Sequence, residues 1–272
     1  MAFSCIQPLV SKKEAISLRD FILESSNNVD FFCDPKGNKL SLETHKDEGY
    51  NLIFSNQILC RLANYVLSDA FLDMLLTKMK SENILKLRNI DPDTINKLVP
   101  YCHSSTKNIY GEFAQWKGTL RPLNSSFEKL QNLFNSHINL GQIPVLPRLQ
   151  LSILQPGTFI SPHTDVSNKL ASILIYLPSG EEQLNSELGT RFWYSDTDKI
   201  LFSQKESHQI QGWKESNIFK NARYENTFFG YGSTVIFFRT HFSWHSVEIP
   251  KTTKIPRVSV NINLNLPADL NT

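Results

Sequence analysis

Cysteine is scarce in this sequence and its charge is nearly balanced, and both shortages narrow what it can be. Four cysteines occur in 272 residues, Cys5, Cys33, Cys60 and Cys102. They lie far apart with no C-x-x-C pair, so neither a disulfide framework nor a zinc knuckle is encoded, and buried free thiols are expected. Lys and Arg total 28 against 26 Asp and Glu, a formal charge of +2, and no basic run gathers into a stripe. Nucleic acid and anionic membrane are therefore not expected as partners. No stretch approaches the roughly 20 apolar residues of a membrane span. The opening MAFSCIQPLVSKKEA has no basic start followed by an apolar core, so a cytoplasmic protein is expected. Walker-type phosphate loops, dinucleotide fingerprints, G-x-S-x-G elbows, H-E-x-x-H, internal repeats and low-complexity tracts are all missing.

What is there can fill a core. The residues are 40% hydrophobic and 20% charged, with 18 Phe, the balance of a globular chain long enough for one main core. The first half carries helical punctuation. Ser11 with Glu14 forms a capping box ahead of AISLRDFILES. From Ser55 to about Lys80, apolar residues from Ile58 to Leu75 recur at spacings of three and four, with Ser68-Asp69 as a break between two helices. Asp91-Pro92 predicts an N-cap and first helical residue of a short helix stopping at Pro100. Ser125-Ser126-Phe127-Glu128 repeats the capping-box signature for a helix ending at Gly141.

After Pro147 the period changes to two: Leu149, Leu151 and Ile153 alternate with Arg148, Gln150 and Ser152. LASILIYLP, TRFWY, STVIFFRT, HSVEI and RVSVNINLNL follow as short strands rich in β-branched and aromatic residues. An antiparallel sandwich or jelly roll fits this better than a doubly wound sheet. The expected organisation is α+β, with a helical portion over 1–140 packed on a mainly β core over 141–272, the two forming one continuous structural unit.

The chemistry begins at PGTFISPHTD. His163 and Asp165 are two residues apart, so on an extended strand both side chains leave one face and can reach one ion. His245 in FSWHSVEIP offers a third ligand about 80 residues later, the rival being His241, which lacks the flanking Trp244. Two histidines and a carboxylate form the facial set that suits non-haem Fe(II) and leaves three positions open. Arg257 and Ser259 share a strand face with Asn261 and Asn263, opposite Val258, Val260 and Ile262. A guanidinium fork beside a hydroxyl suits the distal carboxylate of 2-oxoglutarate. His45, His103, His137 and His208 have no companion acid at ligand spacing and are read as ordinary histidines.

At this point the sequence resembles the Fe(II)/2-oxoglutarate dioxygenases, in particular their prolyl-hydroxylase-like branch. The matching text runs in order through PGTFISPHTD, ILIYLP, GTRFWY, GSTVIFF, SWHSVEIP and RVSVNINL, about residues 147–265. The resemblance implies a double-stranded β-helix (cupin-like jelly roll), Fe(2+) on His163, Asp165 and His245, 2-oxoglutarate on Arg257 and Ser259, and O2 as oxidant. It implies hydroxylation, or another oxidation without halogen transfer, because the related radical halogenases have Ala or Gly where Asp165 stands. The expected substrate is an amino acid or related small metabolite, with a protein side chain as the alternative; the sequence does not address the oligomeric state. Two features depart from the family. A Tyr that commonly contacts 2-oxoglutarate is replaced by Leu154, for which Ser172 or Tyr176 would substitute. The segment from about Ser195 to Phe229, containing Trp213 and Arg223, is longer than a hairpin needs and reads equally as a lid or substrate-contacting loop or as a plain surface excursion. Trp244, Asn261 and Arg223 are further candidate contacts. A hydrolytic zinc site and a non-catalytic metal-binding jelly roll are the competing readings, and neither explains Arg257.

Overall fold

The computed structural model describes residues 3–35, 37–43, 51–53, 55–81, 92–100, 113–116, 119–122, 136, 139–166, 169–181, 184–185, 187–194, 222–240 and 242–266. Through them the chain is mostly antiparallel β-sheet with a few helices. The strands are β1 (Phe3–Ile6), β2 (Phe32–Cys33), β3 (Lys39–Glu43), β4 (Leu98–Pro100), β5 (Phe113–Trp116), β6 (Thr119–Pro122) and β7 (Ile143–Leu154). They continue with β8 (Phe159–His163), β9 (Lys169–Tyr176), β10 (Arg191–Tyr194), β11 (Arg223–Asn226), β12 (Thr234–Phe238), β13 (His245–Glu248) and β14 (Arg257–Asn265). The helices are α1 (Lys12–Ser25), α2 (Gln57–Val66), α3 (Asp69–Ser81) and α4 (Pro92–Asn96). Cα packing divides the chain into two compact units. One comprises Met1–Ser41, Leu151–Ser167 and Ser172–Asn261; the other comprises Leu42–Gln150, Asn168–Ala171 and Ile262–Thr272.

In the first unit α1 starts where its capping box predicts. Ser11 Oγ accepts from Glu14 N–H, Ser11 N–H donates to Glu14 Oε2 at 2.8 Å, and Ala15, Leu18 and Ile22 are buried. The larger sheet reads β1-β12-β9-β14-β7-β3-β2 in strand order, with β4 beside β7, and the smaller reads β11-β10-β13-β8. Leu154, Tyr176, Val235 and Phe237 of the larger sheet and Phe192 and Val247 of the smaller join one buried cluster with Leu188, Phe229 and Ile249. The two sheets therefore face each other across it. Phe192 stacks on Phe3 at 4.2 Å and meets Phe237 edge-on at 5.2 Å. Such aromatic pairs contribute about 0.5–1.5 kcal/mol each beyond the area they bury.

In the second unit the sequence break at Ser68 has a physical cause. Ser68 Oγ donates to Tyr65 O at 2.7 Å, closing α2, and accepts from Phe71 N–H at 3.2 Å, opening α3. Asn56 caps α2 through the N–H groups of Ile58 and Leu59. The short helix α4 ends at Asn96 rather than running to Pro100. Ile143 N–H takes Lys97 O at 2.7 Å, and Leu98–Pro100 pairs in parallel with Ile143–Val145. The helix expected over Ser125–Gly141 lies largely outside the described residues.

Six of the fourteen described strands, β1 to β6, fall within 1–140, which the sequence presents as helical. They are two to five residues long, too short for a period of two to register, and such strands form because a partner edge is offered. β1 pairs with β12 from Phe3↔Phe237 to Ile6↔Thr234.

Candidate metal centre

β8 ends at His163 and β13 begins at His245, and their antiparallel register sets these two residues directly opposite each other. The ring centroids are 4.3 Å apart. His163 Nδ1 lies 2.9 Å from Ser161 O, and His245 Nδ1 lies 3.0 Å from Ser243 O, each two residues back along its own chain. A carbonyl oxygen only accepts, so each ring donates from Nδ1, and the neutral form of each ring then has its lone pair on Nε2.

Asp165 stands two residues beyond the end of β8, so its side chain is not aimed by strand alternation as the sequence reading supposes. Two contacts set it instead. Ser172 Oγ on β9 donates to Asp165 Oδ2 at 2.9 Å, and Arg239 Nε donates to the Asp165 main-chain carbonyl at 3.2 Å. Ligand atoms of His163, Asp165 and His245 all lie within 4.8 Å of one another. These three side chains would hold a divalent first-row ion. Two imidazoles and a carboxylate with one oxygen hydrogen-bonded form the donor set that suits Fe(II) and leaves open positions. His241 and the histidines at 45, 103, 137 and 208 lie outside the described residues.

Arg257 opens β14 and is 3% exposed. Its Nε donates to Leu188 O at 2.7 Å, a second nitrogen reaches Thr190 Oγ1 at 3.5 Å, and the guanidinium lies over the rings of Tyr176 and Phe229 at 5.0 and 5.4 Å. Among the described residues no carboxylate pairs with it. Burial pulls its pKa below the ordinary value, with Tyr176 acting the other way. A buried cation answered only by neutral groups is costly unless an anion completes it.

The remaining candidates are distributed as follows. Ser259 is buried and donates to Asn261 Oδ1 at 3.0 Å, as expected of neighbours on one strand face, but that face is sealed from solvent in its first half. Ser172 serves Asp165. The Tyr176 hydroxyl donates to Thr190 Oγ1 at 2.8 Å and lies 2.7 Å from Thr227 Oγ1, where β10 meets β11. Trp244 is buried just before β13, and its carbonyl accepts from Trp193 N–H at 2.9 Å. Arg223 is exposed at the start of β11, and Trp213 lies outside the described residues. Thr190, Thr227 and Arg239 were not anticipated. Arg239 had a signal: a charge directly after TVIFF with no turn residue between breaks the local apolar pattern.

No protein-family profile and no curated protein sequence matches the chain. In structure it is similar to a prolyl-4-hydroxylase from Pseudomonas putida, at 10% identity, covering 98% of this chain and 94% of that one with a TM-score of 0.44. It is similar to HygX from Streptomyces hygroscopicus with nickel and 2-oxoglutarate bound, at 12% identity, covering 97% and 82% with a TM-score of 0.47. It is also similar to SnoN, a non-heme alpha-ketoglutarate-dependent epimerase from nogalamycin biosynthesis, at 8% identity, covering 97% and 77% with a TM-score of 0.45. Each is a distant likeness in the course of the chain. Among the described residues no helix is long and apolar enough to cross a membrane.

Proposed function

We propose that the chain is an Fe(II)- and 2-oxoglutarate-dependent oxygenase that hydroxylates an unactivated carbon of a small metabolite. Its core is a double-stranded β-helix over 141–272, supported by residues 1–140. The observation that carries this reading is the pairing, within one compact unit, of a His163–Asp165–His245 cluster with a buried Arg257 that meets no carboxylate among the described residues. A metal site alone would suit hydrolysis as well; a buried guanidinium in the same compact unit calls for a ligand with an anionic end.

The chain's own residues divide the work. His163 and His245 present Nε2 because their Nδ1 protons are committed to Ser161 O and Ser243 O. Ser172 holds one Asp165 oxygen so that the other can bind metal. Arg257, fixed through Leu188 O, receives the distal carboxylate of 2-oxoglutarate. Tyr176 lies against Arg257 and is better placed than Ser172 to take over the missing tyrosine contact at Leu154. Phe192 and Phe237, with ring centroids 6.1 and 4.6 Å from His245, exclude water beside that ligand. Fe(II) bound there supplies the redox centre at which dioxygen and 2-oxoglutarate give succinate and carbon dioxide while a substrate C–H becomes C–OH.

The test is to load the protein anaerobically with Fe(II), add 2-oxoglutarate and oxygen, and assay succinate across small metabolites and peptides. Succinate formation and a 2-oxoglutarate-dependent charge-transfer band are expected. Absence of both, or zinc-restored activity indifferent to 2-oxoglutarate, would overturn the reading.

A further inference from the structure

Arg239 is a second buried arginine that the proposed reaction does not use. It follows β12 and is 5% exposed. Phe237, two residues earlier and on β12, has its ring 4.6 Å from His245, and the Arg239 side chain reaches the Asp165 main-chain carbonyl, so it lies beside the metal cluster. One of its nitrogens, Nε, is committed to the Asp165 carbonyl, and its side chain forms no ion pair among the described residues. Among the described residues Nη1 and Nη2 have no hydrogen-bond partner, and these two nitrogens together make the end-on fork that grips a carboxylate bidentately. Burial lowers the Arg239 pKa and the field of Asp165 opposes this.

A buried guanidinium in contact with a member of the metal cluster, its terminal nitrogens unpaired among the described residues, suits an anion. If the cluster and Arg257 act as proposed above, both carboxylates of 2-oxoglutarate are already provided for, one by Arg257 and one by the metal. A third anion-binding group then belongs to the other reactant. On that reading of the site we infer that Arg239 binds a free carboxylate of the primary substrate, which is therefore a small carboxylic or amino acid rather than an internal residue of a protein. One carboxylate oxygen would lie on each terminal nitrogen, placing carbons a few bonds away beside the metal. Arg239 would set both affinity and the carbon presented for oxidation.

The comparison that needs no variant uses free L-amino acids and their C-terminal amides as probes, titrated calorimetrically into the Ni(II)- and 2-oxoglutarate-loaded protein. At least one acid is expected to bind 10-fold or more tightly than its amide. In Arg239→Gln this preference should collapse, acid and amide being compared within the same variant so that any loosening of Asp165 affects both alike; Arg239→Lys should recover part of the preference. Equal binding of acids and amides, no acid binding, or a preference surviving in Arg239→Gln would overturn the inference. So would loss of 2-oxoglutarate affinity in Arg239→Gln with acid binding intact. Failure of the oxygenase reading itself would look different: the unsubstituted protein would bind neither Ni(II) nor 2-oxoglutarate before any acid is added.

Discussion

Replacing Arg257 with methionine separates ligand binding from folding. The native guanidinium is fully enclosed, with Leu188 O and Thr190 Oγ1 as its hydrogen-bond partners and two aromatic rings against it. Methionine relieves the burial cost of a cation that no described carboxylate offsets. Apolar replacement of buried ion pairs or triads is often neutral or stabilising by about 1–4 kcal/mol, and a gain of that order is expected, whereas stranding the Leu188 carbonyl costs about 1–3 kcal/mol. The two effects nearly cancel, so the metal-loaded variant should melt close to the parent. Its response to 2-oxoglutarate should not. Truncating one partner of a desolvated, hydrogen-bonded charge pair costs about 2–5 kcal/mol, and a loss near 3 kcal/mol raises Kd about 100-fold. At a 2-oxoglutarate concentration of about 100 times the parental Kd, ligand stabilises the parent by about 2.7 kcal/mol. That is roughly 5–10 °C for a chain of this size. At the same concentration the variant gains only about 0.4 kcal/mol, near 1 °C. Differential scanning fluorimetry with Ni(II) reads both quantities. A variant that keeps most of the ligand-induced shift, or one that melts more than about 10 °C below the parent before ligand is added, would refute the reasoning.

Three further perturbations test the surroundings of the site. Ser172→Ala leaves Asp165 Oδ2 without this donor and should weaken metal affinity by about 10–100-fold, measured by competition with a chromogenic chelator, while the fold is retained. His245→Ala should abolish stoichiometric metal binding and His241→Ala should not, a comparison that metal analysis after desalting decides. Gly189→Ala should cost more than about 4 kcal/mol: a Cβ there would sit 1.7 Å from Thr227 O, across the hydrogen bonds that join Thr190 to Thr227. Chemical denaturation should show a large drop in midpoint, with loss of 2-oxoglutarate binding, because Leu188 and Thr190 on either side both contact Arg257.

The legible parts of the sequence were those governed by local rules. The capping box at Ser11, the Ser68 break and the strands from Leu149 to Leu264 each announce themselves by period or by cap chemistry. His163, Asp165 and His245 could be chosen because a metal set has a distinctive residue alphabet. Arg257 stood out because a charge alternates with valines. What could not be read depends on distant partners. β1 is a strand only because β12 offers an edge more than 200 residues later, and α4 stops early because Lys97 O is claimed by Ile143. The Thr190–Thr227–Tyr176 hydrogen bonds and the arrival of Arg239 at Asp165 need three strands in register before any of them exists.

The hydrogen bonds from Nδ1 of His163 and His245 to main-chain carbonyls give the three presumed ligands unequal evolutionary freedom. Both imidazoles take their tautomer and tilt from peptide groups, which no side-chain replacement nearby can delete. The carboxylate takes its orientation from side chains, the Ser172 hydroxyl and, through its own peptide, Arg239. Drift at those two positions would leave a pair of correctly presented histidines and a wandering Asp165. Descendants of this chain that change their chemistry should therefore show it first at the carboxylate corner and its two supports, with the histidine pair left intact.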